Sequence, residues 1–341
     1  MVVGILTLTI PSSWNHHRRH CLRPTPPLIK CESGGVPLTK QAHRFFSSLT
    51  STAAVDDLAT ANRLIKKFVA SSPKSIALNA LSHLLSPRNS HPHLSAIAFP
   101  LYTKISEASW YNWNPKLVAD LVPLLDIQDM ERMVKKMEIE GFGVDTISSN
   151  MILSSYGAYN ALPKMVPWLQ KMKALEIPFS IRTYNCVLNS CPMIMSFVRG
   201  SGGFPVSVSE LVNVLDEAEA LLVKELVESS SVLDEAMEWD DLELKLDLHG
   251  MHSGSAYLIM LQWIEEMKSR FRVEECVVPA QITVVCGTGK HSSVRGESPV
   301  KTLSKAMMVQ MKSPMRIDRK NIGCFIAKGQ VVRNWLIQSL D

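Results

Sequence analysis

The 341-residue sequence has no long apolar run and no clustered cysteines. A membrane-spanning helix needs about 20 consecutive apolar residues, and the longest apolar stretch, Met1 to Ile10, stops at Pro11. The seven cysteines lie far apart, without a CxxC pair or the cysteine and histidine spacing of a zinc site. We therefore expect no transmembrane segment, no structural zinc and no disulfide framework. A reducing compartment suits such thiols.

Charge of one sign is also scarce in two parts of the chain. Acidic residues are absent before Glu32, and 207–246 holds 12 of the 32 acids but only two basic residues, Lys224 and Lys245. The net charge of +4 thus conceals a basic protein with an acidic connector. Because phosphates attract a basic surface at long range, this balance favours a polyanionic partner. An ordinary solvated surface is the alternative.

The acid-free N-terminus, 1–31, has the composition of an organelle transit peptide, with several arginines, serines and threonines. Its apolar stretch precedes the basic cluster, which is the reverse of the order in a secretory signal. Leu28-Ile29-Lys30-Cys31 resembles the processing region of plastid transit peptides and predicts a new N-terminus near Glu32. We expect a chloroplast protein, with the mitochondrion as the alternative, and an N-terminal extension over 32–75.

The middle of the chain repeats itself with a period of 35 residues. Residues 144–153 are followed by a similar segment at 179–188, which places Asn150 and Asn185 in register. Apolar positions recur every three or four residues, so each unit is predicted to hold two amphipathic helices. A period in the mid-thirties with two helices per unit is typical of a helical solenoid, in which each unit buries its apolar face against its neighbours.

The repeat region loses its regularity towards its C-terminal end. A unit that begins near Ile181 departs from the pattern after Cys191. Pro192 and the glycine-rich segment up to Pro205 are expected to form a loop, after which a helix resumes over 208–227. The repeat region is predicted to cover 76–227, with two clear units at 111–145 and 146–180 and a weaker one at 76–110.

Two segments carry a family resemblance. Thr183-Tyr184-Asn185-Cys186-Val187-Leu188 and Leu169-Gln170-Lys171-Met172-Lys173 resemble the pentatricopeptide repeat, a helix pair that binds single-stranded RNA at one base per repeat. The tetratricopeptide repeat, which binds peptides, is less similar because its Trp-Leu-Gly-Tyr signature is absent.

The pentatricopeptide resemblance implies which side chains read the bases. Asn150 and Ser180 would form one base-reading pair, for a pyrimidine, and Asn185 would be the first member of another. At Pro115 the sequence departs from the family pattern. Because asparagine also caps helices, an N-cap role for Asn150 and Asn185 is the alternative.

The pattern changes after the acidic segment 228–243, which is predicted to be a solvated linker or a charged helix end. Alternating and β-branched runs then predict strands, and apolar residues at helical spacing predict helices. The order of these elements predicts a small α/β domain over 244–341. The predicted strands are 244–248, 282–285 and 322–326, and the predicted helices are 256–271 and 299–311.

Candidate site residues follow the first two of these strands. Side chains alternate along a strand, so Asp247 and His249 are expected on one face, with Gly250 at the turn. The end of a strand is the usual place for a site in an α/β sheet. Gly287 and Gly289 follow the second strand and would let a phosphate approach the backbone. The charged side chains that follow are Lys290, His291 and Arg295.

Three motifs in this domain resemble those of the Small MutS-Related (Smr) domain. They are Leu246-Asp247-Leu248-His249-Gly250, Cys286-Gly287-Thr288-Gly289-Lys290 and Gly296-Glu297-Ser298-Pro299. The family's usual Thr-Gly-X-Gly begins here with Cys286. The two resemblances together imply an α helical-hairpin solenoid followed by a small α/β sandwich. Some Smr domains nick or cleave nucleic acids, so the resemblance implies a candidate endonuclease.

In such a nuclease His249 would act as base or acid, or would position a phosphate, while Asp247 would orient the imidazole or help to hold a divalent metal such as Mg²⁺. Lys290 or His291 would stabilise the developing charge. The sequence has no dense carboxylate cluster of the two-metal kind, so metal dependence stays open. The alternative is a hydrogen-bonded strand end in a domain that only binds.

We therefore predict an organelle RNA-binding protein that acts in RNA processing, with single-stranded RNA as its partner and a C-terminal domain that contacts or cuts the RNA. One alternative is a non-catalytic adaptor whose repeats bind protein and whose Smr domain docks on nucleic acid or ribosomes. A second alternative is a DNA nickase.

Overall fold

The computed structural model describes most of the chain from Leu38 onward, and these residues belong to one compact unit. The predicted transit peptide, 1–31, lies outside the described residues. No helix within the described ranges is both long and apolar enough to cross a bilayer. The described residues are 38–51, 58–86, 94, 97–112, 114–122, 125–139, 141, 143–200, 203–229, 231–273, 276–288 and 298–338.

The first described elements are helices: α1 (Lys40–Ser51), α2 (Leu58–Ser71), α3 (Lys74–Leu85) and α4 (Ala98–Ser106). The predicted N-terminal extension, 32–75, therefore contains helices, and α3 and α4 occupy most of the weaker predicted unit. Phe45 of α1 stacks on Phe68 of α2 with ring centroids 4.1 Å apart. Leu81 and Leu101 join these rings in the buried core.

Each of the two clear predicted units contains one helix pair. The backbone repeats at the predicted period, because a capping box at Asp145 recurs at Ser180. Gly141 and Glu176, at matching positions after the second helix of each pair, both have positive φ. The pairs are α5 (Pro115–Leu121) with α6 (Ile127–Ile139), and α7 (Thr146–Ala158) with α8 (Leu162–Ala174).

The third unit differs from the sequence-based expectation. It contains α9 (Ile181–Leu188), α10 (Pro192–Arg199), α11 (Val208–Val214) and α12 (Glu217–Val227). The prediction of a loop at Pro192 is wrong, because Pro192 is the first residue of α10, where a missing N–H removes no helical hydrogen bond. The helix predicted over 208–227 is divided at Leu215, and Asp216 caps the second part.

The helix of the third unit that packs against α8 of the second unit is α12. Lys173 of α8 forms an ion pair with Glu225 of α12. The hydroxyl of Tyr184 in α9 donates to the carbonyl of Leu226 in α12 over 2.6 Å. The pair that continues the repeat is therefore α9 with α12, and α10 and α11 are an insertion between them.

A carboxylate from α12 holds the inserted α10. Glu219 is fully buried, and its two oxygens accept the backbone N–H groups of Met193 (2.8 Å) and Ile194 (3.0 Å). These groups have no partner within α10, so Glu219 satisfies them from outside the helix. Burial raises the pKa of Glu219 above its ordinary value, and the two hydrogen bonds only partly oppose this effect.

We predict that Glu219→Gln changes how stability depends on pH. Because the pKa of Glu219 is raised in the folded state, its protonated carboxyl adds to the free energy of unfolding fully below the ordinary pKa of 4.5. This contribution is lost as pH rises through the pKa of the folded state. The wild type should therefore lose free energy of unfolding relative to Glu219→Gln between about pH 4.5 and neutral pH. Urea unfolding across this range measures the difference, and a constant difference would contradict the prediction.

The C-terminal part is an α/β domain with one mixed sheet. The strands lie in the order β1-β2-β3-β5-β4, with β2 and β3 parallel and every other neighbouring pair antiparallel. The elements are α13 (Ser231–Ala236), β1 (Met237–Trp239), β2 (Glu243–Asp247), α14 (Ser253–Phe271), β3 (Gln281–Val285), α15 (Pro299–Gln310), β4 (Arg316–Ile317), β5 (Cys324–Lys328) and α16 (Gly329–Gln338).

Much of the segment predicted to be an acidic linker, 228–243, lies within this domain. Helix α13 buries Val232 and Leu233, and β1 pairs with β2 so that Met237 faces Leu246. The acids of this segment alternate with apolar side chains that the core covers, so charge content alone is a poor guide to a linker here.

Helix α14 connects the two parts of the molecule. Thirteen of its 19 residues are buried, which leaves almost no solvent-facing side. It contacts α13, α15 and α16 of its own domain and α9, α10 and α11 of the helical part. The hydroxyl of Tyr257 donates to the carbonyl of Pro205 (2.7 Å), and Glu265 accepts the N–H of Val208 (2.8 Å). The insertion in the third unit thus covers one side of α14.

Gly254 allows the closest approach in this contact. A Cβ at Gly254 would lie 3.2 Å from Leu188 Cβ and 3.3 Å from Leu188 O in α9. Gly254→Leu should therefore lower the free energy of unfolding by about 1–3 kcal/mol despite the better helix propensity of leucine. Gly143→Leu is the control, because nothing lies within 4 Å of its Cβ position. Equal losses in urea unfolding would contradict this prediction.

Candidate functional site

The turn after β2 brings Asp247 and His249 together. The sequence predicts both on one face of a strand, but β2 ends at Asp247 and His249 lies in the turn. Asp247 Oδ1 accepts the backbone N–H of His249 over 2.9 Å and lies 2.8 Å from its Nδ1. The side chain of His249 is 63% exposed and that of Asp247 37% exposed. The carboxylate therefore fixes both the backbone and the ring of His249 while the ring stays open to solvent.

The contact with Asp247 also determines which nitrogen of His249 is available. A carboxylate accepts the proton of Nδ1, so Nε2 of the neutral ring keeps its lone pair. Because β2 and β3 are parallel, their carboxyl ends meet at one edge, where Gly287 lies with φ of +77°. A Cβ at Gly287 would be 3.4 Å from His249 Nε2. Glycine at this position thus leaves open the space in front of the basic nitrogen.

Four predicted site residues, Gly289, Lys290, His291 and Arg295, lie outside the described residues. Their roles stay predictions. The structure describes the residues on either side of them, Thr288 and Ser298. The hydroxyl of Ser298 accepts the N–H of Lys301, which caps α15, and donates to the carbonyl of Cys286. The first turn of α15 is thereby held beside the end of β3.

The residues predicted to read a base form hydrogen bonds within the protein. Asn150 is 2% exposed, its Nδ2 donates to Ser180 Oγ (3.3 Å), and its Oδ1 accepts from Thr183 Oγ1 (2.7 Å). Asn150 is not a helix N-cap, because Asp145 has that role in α7. Asn150 and Ser180 do lie side by side, but their polar atoms join α7 to the start of α9.

Asn185 binds the turn that carries His249. Its Nδ2 donates to the carbonyl of Gly250 and its Oδ1 accepts the N–H of His252, both over 2.8 Å. One turn later in α9, the amide of Asn189 donates to Nδ1 of His252. The third repeat unit thus holds the candidate site in place, a role that the sequence register did not predict.

His252 is a candidate functional residue that the sequence analysis did not single out. It follows His249 by three residues and lines the same cleft. Because Asn189 donates to its Nδ1, the neutral ring of His252 carries its proton on Nε2. The two histidines are therefore held in opposite tautomers. The signal in the sequence was the second histidine of Asp-Leu-His-Gly-Met-His.

A cleft of about 1310 Å³ opens beside these histidines. Helix α10 forms one wall, the turn from Leu248 to Ser253 another, and Gly287 with the first turns of α15 a third. The cleft therefore lies between the helical part and the carboxyl ends of β2 and β3. Both parts of the chain contribute to the candidate site.

The donors at this turn do not form a metal-binding set. Asp247 Oδ1 is already occupied by two donors from His249. Within the ranges that the structure describes, no three His, Cys, Asp or Glu side chains are grouped so as to hold a metal ion. The described groups at this turn thus offer one carboxylate, that of Asp247, which alone does not hold a Mg²⁺ ion.

Comparison with known proteins identifies the family. No protein-family model matches the chain. A pentatricopeptide repeat-containing protein of Arabidopsis thaliana is 44% identical over 429 residues, which cover 92% of this chain and 85% of the relative. This chain belongs to the pentatricopeptide repeat proteins. The family predicted from the repeat register and from the segments 169–173 and 183–188 is thus confirmed.

Two further relatives of this pentatricopeptide repeat protein are shorter matches. Both are pentatricopeptide repeat-containing proteins of Arabidopsis thaliana, each 28% identical over 95 and 94 residues, which is 28% of this chain and 11% of each relative. The longer alignment, of 429 residues, exceeds the 341 residues of this chain. The first relative therefore has segments without a counterpart here.

We predict that Asn185→Ala destabilises the contact between the repeats and the turn after β2. The change removes two hydrogen bonds of about 0.5–1.5 kcal/mol each, so the free energy of unfolding should fall by about 1–3 kcal/mol. Arg182→Ala, an exposed change in the same helix, should change it by less than about 0.5 kcal/mol. Urea unfolding measures both, and an unchanged Asn185→Ala variant would show that the contact contributes nothing.

Proposed function

We propose that this protein binds single-stranded RNA in an organelle and acts in RNA processing, with its C-terminal domain contacting and cleaving the RNA. Membership of the pentatricopeptide repeat family supports RNA as the partner, since repeats of this kind read one RNA base each. The observation that carries the proposal is the hydrogen-bonded pair of Asp247 and His249, which opens onto a cleft shared with the repeats. The three Smr-like motifs support it further.

His249 supplies the base that cleavage of a phosphodiester needs, and His252 supplies a hydrogen-bond donor. His249 Nε2 takes the proton of the attacking hydroxyl while its oxygen bonds to phosphorus, and Asp247 stabilises the resulting imidazolium. The bond from phosphorus to the leaving oxygen breaks, and that oxygen takes a proton from a water molecule, whose hydroxide then takes the proton that His249 has gained. His252 Nε2–H donates a hydrogen bond to the phosphate. The backbone at Gly287 approaches the phosphate without a side chain in the way.

We place the protein in the chloroplast, with the mitochondrion as the alternative compartment. The support is the composition of 1–31, which has arginines and hydroxyl side chains but no acidic residue.

The test uses the chain from Glu32 with a pool of organelle RNA and Mg²⁺, and new RNA ends are mapped by sequencing. The wild type should create new ends, and the Asp247→Ala/His249→Ala double variant should lose at least about 100-fold of this activity, because the base and its partner are both removed. His43→Ala, an exposed histidine change in α1, is the control and should cut like the wild type. The same ends with all three proteins would refute cleavage at this site.

The adaptor without catalysis is the second candidate, and one observation favours it. The polar atoms of Asn150 and Asn185 are occupied within the protein, so they are not free to read bases. In that case RNA crosslinks would form equally with the wild type and the double variant, and no new ends would arise. Tighter, salt-sensitive binding to branched DNA than to single-stranded RNA would instead favour a DNA nickase.

A further inference from the structure

The cleft beside His249 is large enough for part of a polymer ligand. Its volume of about 1310 Å³ exceeds the roughly 300–1,000 Å³ that is usual for a small-molecule site. One wall is α10, which belongs to the insertion in the third repeat unit, and the opposite wall belongs to the α/β domain. A ligand in this cleft would contact both parts of the protein.

The charge of the cleft favours an anion. Arg199, His249 and His252 line it, and no acidic side chain is among its described lining residues. In contrast, 207–246, which begins eight residues after the end of α10, holds 12 of the 32 acidic residues of the chain. Arg199 is exposed and has no ion-pair partner among the residues that the structure describes. Its charge is therefore available to a phosphate.

The inner surface of the cleft is apolar and includes an aromatic ring. Phe197 of α10 is half-buried and lines the cleft, together with the buried side chains of Leu248 and Met251. A nucleobase has apolar faces and stacks on aromatic side chains, while its phosphate requires cations and N–H donors. Ser298 and Val300, at the start of α15, line the same cleft.

We propose that this cleft binds one unpaired base of a single-stranded RNA, stacked on Phe197, with the adjoining phosphate held between Arg199 and the turn of His249. This inference rests on the proposed binding of single-stranded RNA and names the residues that hold one base and its phosphate. A base within a duplex is stacked and paired, so it cannot enter the cleft. The inserted helix α10 thereby makes the candidate site selective for unpaired RNA.

The test measures binding by the chain from Glu32 to a fluorescein-labelled single-stranded RNA 12-mer, and to the same 12-mer with one abasic ribose placed at each position in turn. Stacking contributes about 1–3 kcal/mol per base, so Phe197→Ala should weaken binding about 5- to 150-fold. Phe197→Tyr keeps the ring and should bind like the wild type. Tyr159→Ala, which removes an exposed aromatic ring of the repeats, is the matched control and should keep the wild-type affinity.

The abasic series identifies the position of the base. One abasic position should weaken binding by the wild type to the same extent as Phe197→Ala does, and should cost the Phe197→Ala variant nothing further. Phe197→Leu retains an apolar side chain for packing but not the ring. It should fold with the wild-type unfolding midpoint and bind like Phe197→Ala.

The outcomes separate this inference from the function on which it rests. If the wild type binds the 12-mer and Phe197→Leu binds it equally well, RNA binding stands and the base-stacking cleft is wrong. If the wild type binds a hairpin duplex as tightly as the single strand, selectivity for unpaired RNA is wrong. Failure of the wild type to bind any RNA would refute the proposed function itself.

Discussion

The burial of the first part of α14 on all sides is the constraint on which the arrangement of the C-terminal half depends. Residues 254–264 are all buried, so this part of the helix has no face in water, and its own domain does not cover it alone. The repeats provide the second cover through α9, α10 and α11. Each large apolar side chain buried there stabilises the contact by roughly 1.5–3 kcal/mol. The repeats and the α/β domain therefore belong to one compact unit.

This constraint explains the irregular third repeat. A regular unit would place its second helix directly after α9, but α10 and α11 are instead directed to α14, and α12 completes the pair beside α8. Glu219 of α12 then holds the start of α10. The departure from the 35-residue pattern after Cys191 is thus a structural adaptation to the neighbouring domain, and it also builds one wall of the candidate site.

How far the sequence predicted the structure depended on the range of each interaction. The helix pairs, the strands β2, β3 and β5 and the proximity of Asp247 to His249 were predictable because they depend on periodicity or on residues two positions apart. The short strands β1 and β4 were not predicted. Asn185 was assigned to RNA, yet its partners at Gly250 and His252 are more than 60 residues away. No local pattern reports such a contact. For the same reason the role of α12 and the tautomer of His252 became visible only in the fold.

The acids of 207–246 also have structural uses that composition does not show. Asp216 caps α12, Glu219 holds α10, and Glu225 pairs with Lys173. Glu238 pairs with Lys245 across β1 and β2. The acidic connector is therefore largely engaged in capping and pairing. Negative charge is concentrated there while the cleft beside His249 contains none among its described lining residues.

Lysines on both sides of α8 determine which helix can stand next to it. Lys164 and Lys171 pair with glutamates of α6, and Lys173 pairs with those of α12. Because exposed ion pairs add little stability, their main effect is on selectivity, since a neighbour with lysines at these positions would be repelled. The units of this solenoid are thus not interchangeable, because the charges of adjoining helices favour one order of units along the chain.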